Sequence, residues 1–365
     1  MSITRYAQRA LGVAAASAIL AACSGGGSQV SPTGPAMGGD TVGVGHTLHF
    51  KPQWSRTASL IPRSLRPRLP MALHGKVAPD VVRRGIYVSE FSGTSMFGYK
   101  KGNATDPGPI CTVPFAVSSP NGIAVDGAGN LMEPDGGTRT IQIGQGPNMC
   151  GSLAATVSDP FGQPSDAASA DALNGTIAVG NIFDNSGAAG SISVCTVASG
   201  CTTNLTNPAM FEVAGVAMDN SGNCWADATD PTGVATLTYF AGCAGAGVQA
   251  TGFTNTSFGG IDIDASGNLV TIDAFAGGTG AVDVYSGCNP ACTLVGGPFA
   301  LNGEAVFGHL NSKFNNKLAT GDFAFGQVDI YRYSPTSLTY AYSFNNGLSA
   351  SLDVEGAAYN KRSPQ

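Results

Sequence analysis

From residue 85 onward the chain alternates apolar and polar positions over short stretches, and each stretch breaks at Gly or Asn. Gly122–Leu131 (GIAVDGAGNL), Gly215–Cys224 (GVAMDNSGNC) and Gly260–Leu269 (GIDIDASGNL) repeat one pattern: a strand, a tight turn at Gly-Asn, and the start of a second strand. Alternation with a period of two predicts a strand with two different faces. At the turn the aspartate can accept backbone N–H groups, and the glycine before the asparagine supplies the left-handed residue of a three-residue hairpin. A third strand follows each pair, at Thr138–Ile143, Ala235–Tyr239 and Ala281–Tyr285. Asp126, Asp171, Asp219, Asp264, Gly308 and Asn360 occupy equivalent places, at intervals of 45, 48, 45, 44 and 52 residues. The third unit is the least regular, with its turn at Asn174-Gly175, and the sixth has a longer hairpin through His309 and Asn315-Asn316.

A unit of strands returning about every 45 residues is the period of a propeller blade. The chain enters this pattern in mid-unit, since Gly85–Ser89 has the character of a second strand and Ser95–Lys100 of a third. The opening strand is supplied by Asp353–Asn360 (DVEGAAYN), which has the shape of the repeat opening. The reading is an all-β, six-bladed β-propeller over residues 85–360, closed by pairing of the N- and C-terminal strands so that no sheet edge is left open.

Composition agrees: 12% of residues are charged, 51 are Gly, and no long stretch has the i, i+3, i+4 spacing of an amphipathic helix. The net charge of −6 is unevenly spread, with ten bases and two acids in residues 1–84 against eight bases and 22 acids in residues 85–365. An acidic propeller excludes nucleic acid as a partner, because phosphate binding needs clustered Lys and Arg. Residues 24–84 are rich in Gly, Ser, Pro and Arg without periodicity and are expected to be a disordered tether. The basic residues of that tether suit either anionic lipid headgroups or simple solvation.

Residues 1–23 combine a basic start (Arg5, Arg9) with an apolar run from Leu11 to Leu20 that is too short to span a bilayer, which predicts a signal peptide. Leu20-Ala-Ala-Cys23 resembles the lipobox of bacterial lipoproteins. The resemblance implies cleavage before Cys23, lipidation of its sulfur, and a protein anchored at the outer membrane or the periplasmic face of the cell envelope. Eight other cysteines remain, an even number that in an exported chain predicts disulfides. Cys195–Cys201 and Cys288–Cys292 would each span the connection between third and fourth strands, Cys224–Cys243 would lie within one blade, and Cys111–Cys150 follows by elimination.

Pro120–Leu131 (PNGIAVDGAGNL) resembles an NHL-type repeat, and the propeller as a whole resembles the NHL and gluconolactonase-like six-bladed group. That resemblance implies the fold well and the function poorly. Members of the gluconolactonase-like group hold a channel metal with Glu, Asn and Asp, and Glu355-Gly356 is similar to that group's glutamate-glycine opening. On this basis Glu355, Asn181, Asp227 and Asp273 are candidate ligands of one divalent cation, calcium or similar, and Glu355 and Glu304 are candidate catalytic residues. The ring Glu90, Asp135, Asn181, Asp227, Asp273 and Asp322, at the ends of second strands, suits either this role or a structural one. Asp262, Asp264, Ser266 and Asp273 mimic the spacing of a helix-flanked calcium loop, but they fall on a strand and hairpin, so Asp264 reads as a turn residue. The chain has no Gly-x-Ser-x-Gly elbow, and its one propeller histidine, His309, reads as a polar hairpin residue.

Two functions follow as expectations. The first is a membrane-anchored extracytoplasmic module that binds a protein or glycan and has no firm cofactor. The alternative is a metal-dependent lactonase or esterase with its site in the channel.

Overall fold

The computed structural model describes residues 85–100, 108–146, 148–170, 175–310, 316–349 and 353–360. The signal peptide, the lipid-bearing Cys23 and the tether expected for residues 1–84 lie outside these residues. The described chain forms six four-stranded antiparallel sheets, and its helical content is two short 3-10 turns, Ala241–Cys243 and Ala276–Gly278.

In each blade the strands run a to d from the axis outward. The a strands are Val354–Tyr359, Ala124–Val125, Gly162–Ser169, Glu212–Met218, Ile261–Ile263 and Ala305–Leu310, for blades 1 to 6. The b strands are Gly85–Glu90, Leu131–Asp135, Thr176–Asp184, Cys224–Thr229, Leu269–Asp273 and Lys317–Asp322. Blade 1 is therefore built from both ends of the propeller. Ile86 pairs with Tyr359, Tyr87 with Ala358, Val88 with Ala357 and Ser89 with Gly356. Each a strand packs on its two neighbours, and Val354–Tyr359 contacts blades 6 and 2, which closes the ring.

Why these residues make blades is visible in the burial. The two faces of each inner strand lie against adjacent blades, so both alternating sets are apolar. Ile86, Val88, Tyr359, Val354, Val328 and Ile330 form one cluster across blades 6 and 1. The neighbouring cluster takes Tyr87, Ile123, Val125, Leu131 and Ala358 from blades 1 and 2. At the hairpins Asp126, Asp219 and Asp264 each accept the N–H of the asparagine four residues on, and its side-chain amide as well. Gly129, Gly222 and Gly267 have φ of 89°, 85° and 80°, a conformation that costs glycine little.

Two hairpins differ from the sequence reading. In blade 6 His309 pairs with Ala319 and Leu310 with Leu318, so the strand runs past Gly308 to Leu310; residues 311–315 lie outside the described set. His309 is a strand residue, not a hairpin one. In blade 3 Ser169 pairs with Ile177, which gives the turn position to Ala170, not to Asp171; residues 171–174 lie outside the described set.

The disulfides are Cys111–Cys150, Cys195–Cys201, Cys224–Cys243 and Cys288–Cys292. The first joins the outer strand of blade 1 to the connection between the third and fourth strands of blade 2, and the other three close loops within a blade. Four bridges in one domain belong to an oxidising compartment.

Candidate functional site

The register lines up the six a strands level by level, because each blade's last a–b pair before the turn is equivalent: Tyr359↔Ile86, Val125↔Leu131, Ser169↔Ile177, Met218↔Cys224, Ile263↔Leu269 and Leu310↔Leu318. One residue further in, the level reads Ala358, Ala124, Ala168, Ala217, Asp262 and His309. Two further in, it reads Gly356, Gly122, Asp166, Gly215, Gly260 and Phe307. Blades 1, 2 and 4 present only small residues at these two levels, and blades 3, 5 and 6 supply the exceptions.

Phe307 is fully buried. A Cβ on Gly122 would stand 2.7 Å from its ring and 2.9 Å from an Asp166 oxygen, although Gly122 belongs to blade 2 and Phe307 to blade 6. The ring therefore reaches across the axis. Ile182, Ala214, Phe258, Val306 and Phe323 pack around it, with Phe183 and Phe275 at the margin, so that blades 3 to 6 contribute to one apolar plug. The channel is blocked on the side where the b strands end.

On the a–b turn side the axis opens into a recess of about 410 Å³. The four alanines, Val216 and Ile261 form its walls, and Asp219, Asn220, Ser221 and Asp264 its rim. His309 stands between two carboxylates: its Nδ1 is 3.5 Å from Asp262 Oδ2 and its Nε2 is 3.8 Å from Asp166 Oδ1. Asp262 also accepts the N–H of Leu310 at 2.8 Å, and Asp166 accepts those of Ala167 and Val216 at 2.9 and 3.0 Å. The three side chains come from three blades, so each is fixed by a different sheet. Because the two imidazole nitrogens face different carboxylates, the trio suits hydrogen bonding to a hydroxyl or amine and not chelation of one ion.

Burial pushes the Asp166 carboxyl up to about 7, with the His309 charge and the two N–H groups working against it. Asp329 also reaches about 7, through burial and then the Asp322 charge, and Asp283 about 6, through burial and then Asp273. An unfolded aspartate titrates near 3.8, so between about 4 and 7 the folded chain keeps protons that the unfolded chain has lost. These groups therefore stabilise the fold most at low pH, and their contribution falls as pH rises through that window. Asp329→Asn mimics the protonated form. The margin of its urea midpoint over the parent's should be smallest below about pH 4 and should grow steadily up to pH 8; an equal margin at both ends would contradict the assignment.

The other sequence candidates lie elsewhere. Asp135 accepts N–H bonds from Ser118, Ser119, Gly137 and Thr138, and Asp273 from Thr256 and Ser257 together with both of their hydroxyls. These aspartates pin the loop that leads into their blade. Glu90 accepts the N–H of Ser349, and Asp322 bonds Phe325 and Gln327. The Asn181 amide donates to Ser191 and Ser193 in its own blade. Asp227 departs from the ring: Asp135, Asn181, Asp273 and Asp322 lie four residues after the hairpin pair, but Asp227 lies three after Cys224 and so faces the opposite side of its sheet. Its carboxyl is raised well above the usual range by burial and then by Asp273. Glu304 is raised by burial and adds to the charge acting on Asp322, whereas Glu355 feels Asp353. Asp227 and Asp273 lie near each other between blades 4 and 5, but Glu355, Glu304 and Asn181 belong to other blades, and the five do not form one ligand set. Among the described residues the one group of three or more His, Cys, Asp or Glu side chains close enough to share an ion is Asp159 with Cys195 and Cys201, and those sulfurs are tied in a disulfide. The channel metal implied by the gluconolactonase-like resemblance does not fit these residues.

No family model and no curated protein matches the chain. A solved structure similar to it is the crystal structure of a functionally unknown protein from Desulfotomaculum acetoxidans DSM 771, with a TM-score of 0.47 and 12% identity, covering 73% of this chain and 80% of that chain.

Proposed function

We propose that this propeller is an extracytoplasmic binding module that holds part of an envelope protein or glycan in the recess at the a–b turn mouth. The observation that carries the reading is the pairing of a sealed axis with an open recess: Phe307 and its neighbours fill one side, and His309 with Asp262 stands in the wall of the other. A concave site with a few convergent polar groups is the usual form of a ligand pocket. The imidazole and carboxylates suit hydroxyl- or amine-bearing groups, and the acidic surface favours a neutral or basic ligand. The NHL-type repeat, the lipobox-like Leu20–Cys23 and the basic tether support a lipid-anchored protein of the cell envelope with no nucleic-acid partner. The alternative, a metal-dependent lactonase, has no ligand set to support it.

The test uses the full-length protein, its His309→Ala variant and an Asp262→Ala variant against a glycan array and detergent-solubilised envelope proteins. The expected result is a defined ligand retained by the parent and lost by both folded variants. Retention of the same ligand by both variants would place binding elsewhere, and recovery of nothing specific would contradict the proposal.

A further inference from the structure

Glu133 and Glu355 are both completely buried; the Asn121 N–H approaches the Glu133 carboxylate without closing a hydrogen bond, and no donor reaches either oxygen of Glu355. The register and contacts place them at one joint. Glu133 follows Met132, which pairs with Ala124, so it lies beside Ile123 on blade 2. Gly356, next to Glu355, packs so closely on that blade that an added Cβ would stand 2.8 Å from Asn121 O and 3.1 Å from Ile123 N. Ser89 stitches the same joint, donating its hydroxyl to Asn121 O and accepting the N–H of Gly356.

The local backbone explains why Glu355 is there. Blade 1's pairing shifts between Ser89↔Gly356 and Glu90↔Val354, so Glu355 is the extra residue of a β-bulge. Ser165 occupies the same bulge in blade 3, and its hydroxyl reaches the Val213 and Ala214 carbonyls of the next blade. Bulges re-aim side chains in this way. The equivalent side chain of blade 1 is a glutamate directed at blade 2, which answers with a second glutamate.

Two carboxylates with no closed hydrogen bond in a dry joint are costly unless something positive joins them. Among the described residues no Lys, Arg or His acts on either: Glu133 feels the charges of Asp135 and Glu355, and Glu355 that of Asp353. We propose that Glu133 and Glu355 hold a divalent cation of the calcium class, bound through oxygen, which ties the closing strand Val354–Tyr359 to blade 2. Carboxylate oxygens and backbone carbonyls are the ligands such hard cations take. This site lies at a blade joint and uses none of Asn181, Asp227 or Asp273. It is also independent of the recess around His309, so the two fail separately.

The test strips the full-length protein with EGTA and titrates it with calcium chloride, then with magnesium chloride, following heat uptake and the unfolding temperature. One calcium per chain should bind and raise the unfolding temperature. Glu133→Gln and Glu355→Gln should each weaken binding at least about 10-fold and erase the thermal response. Asp230→Asn, in an exposed turn, should leave both intact. If either glutamine variant fails to fold, the parent with and without EGTA still decides the question. An unfolding temperature indifferent to chelation, or glutamine variants that bind calcium as tightly as the parent, would overturn the proposal. So would stability that falls with rising pH and ignores calcium, since the pair would then be neutralised by protons.

Discussion

A chain ending at Ser349 is expected to lose cooperative unfolding and to populate an aggregation-prone, open form. The missing strand Val354–Tyr359 is the innermost strand of blade 1, not a peripheral extension. Val354, Ala357, Ala358 and Tyr359 are at most 3% exposed. Burying a side chain the size of Val or Phe contributes about 1.5–3 kcal/mol, and a whole domain is stable by only about 5–15 kcal/mol. Loss of Val354 and Tyr359 also uncovers Ile86, Val88, Val328 and Ile330, which share their cluster. It opens the edge of Gly85–Glu90, whose unpaired N–H and C=O groups then invite pairing with another chain. Urea unfolding followed by tryptophan fluorescence and by size-exclusion chromatography checks this. A truncated chain that remains monomeric and unfolds in one transition at the parent midpoint would show that closure is not what stabilises the ring.

The second large effect belongs to Phe307. Phe307→Ala is expected to cost about 3–5 kcal/mol, because the ring is fully buried and the four glycines of its level offer no side chain that can move into the gap. For a domain of this size that corresponds to a fall in unfolding temperature of about 10 °C. Phe307→Leu keeps most of the volume and should cost much less. The contrast between the two separates loss of packing from any special role of the aromatic ring. If Phe307→Ala unfolds within a degree or two of the parent, the axis is not plugged as described, and the reading of the recess as a blind pocket goes with it.

Much of this was legible in the sequence because blade units are local. The Asp and Gly-Asn of each hairpin are five residues apart or less, and their spacing exposes the period without knowledge of which blades touch. The closing strand was legible for a related reason: an unfinished unit at one end has the shape of the unit missing at the other. The site was harder to read, since it depends on levels across the axis. His309 was hidden by the long sixth hairpin; taking Gly308 as the turn moved the strand end by three residues and put the histidine outside it. Asp227 was drawn into the carboxylate ring by its spacing from its neighbours, and a shift of one residue in a strand reverses the face. Glu133 carried a signal that went unused. Two residues after the hairpin pair, the other blades have Val88, Val179, Ala226, Thr271 and Thr320, so a glutamate in the middle of Leu131–Asp135 breaks the pattern. Phe307 had no such mark, because a phenylalanine in an apolar strand is ordinary until the glycines opposite it are known.

The central claim is that the end of the described chain completes the first blade. Hydrogen–deuterium exchange of the intact protein, read on the peptide covering Val354–Tyr359, tests it most directly. Its paired amides should exchange as slowly as those of Cys224–Thr229 in blade 4, and Gly85–Glu90 should be protected to the same degree. Uptake at the rate of an unstructured peptide, while blade 4 stays protected, would mean that the ring is not closed by this strand.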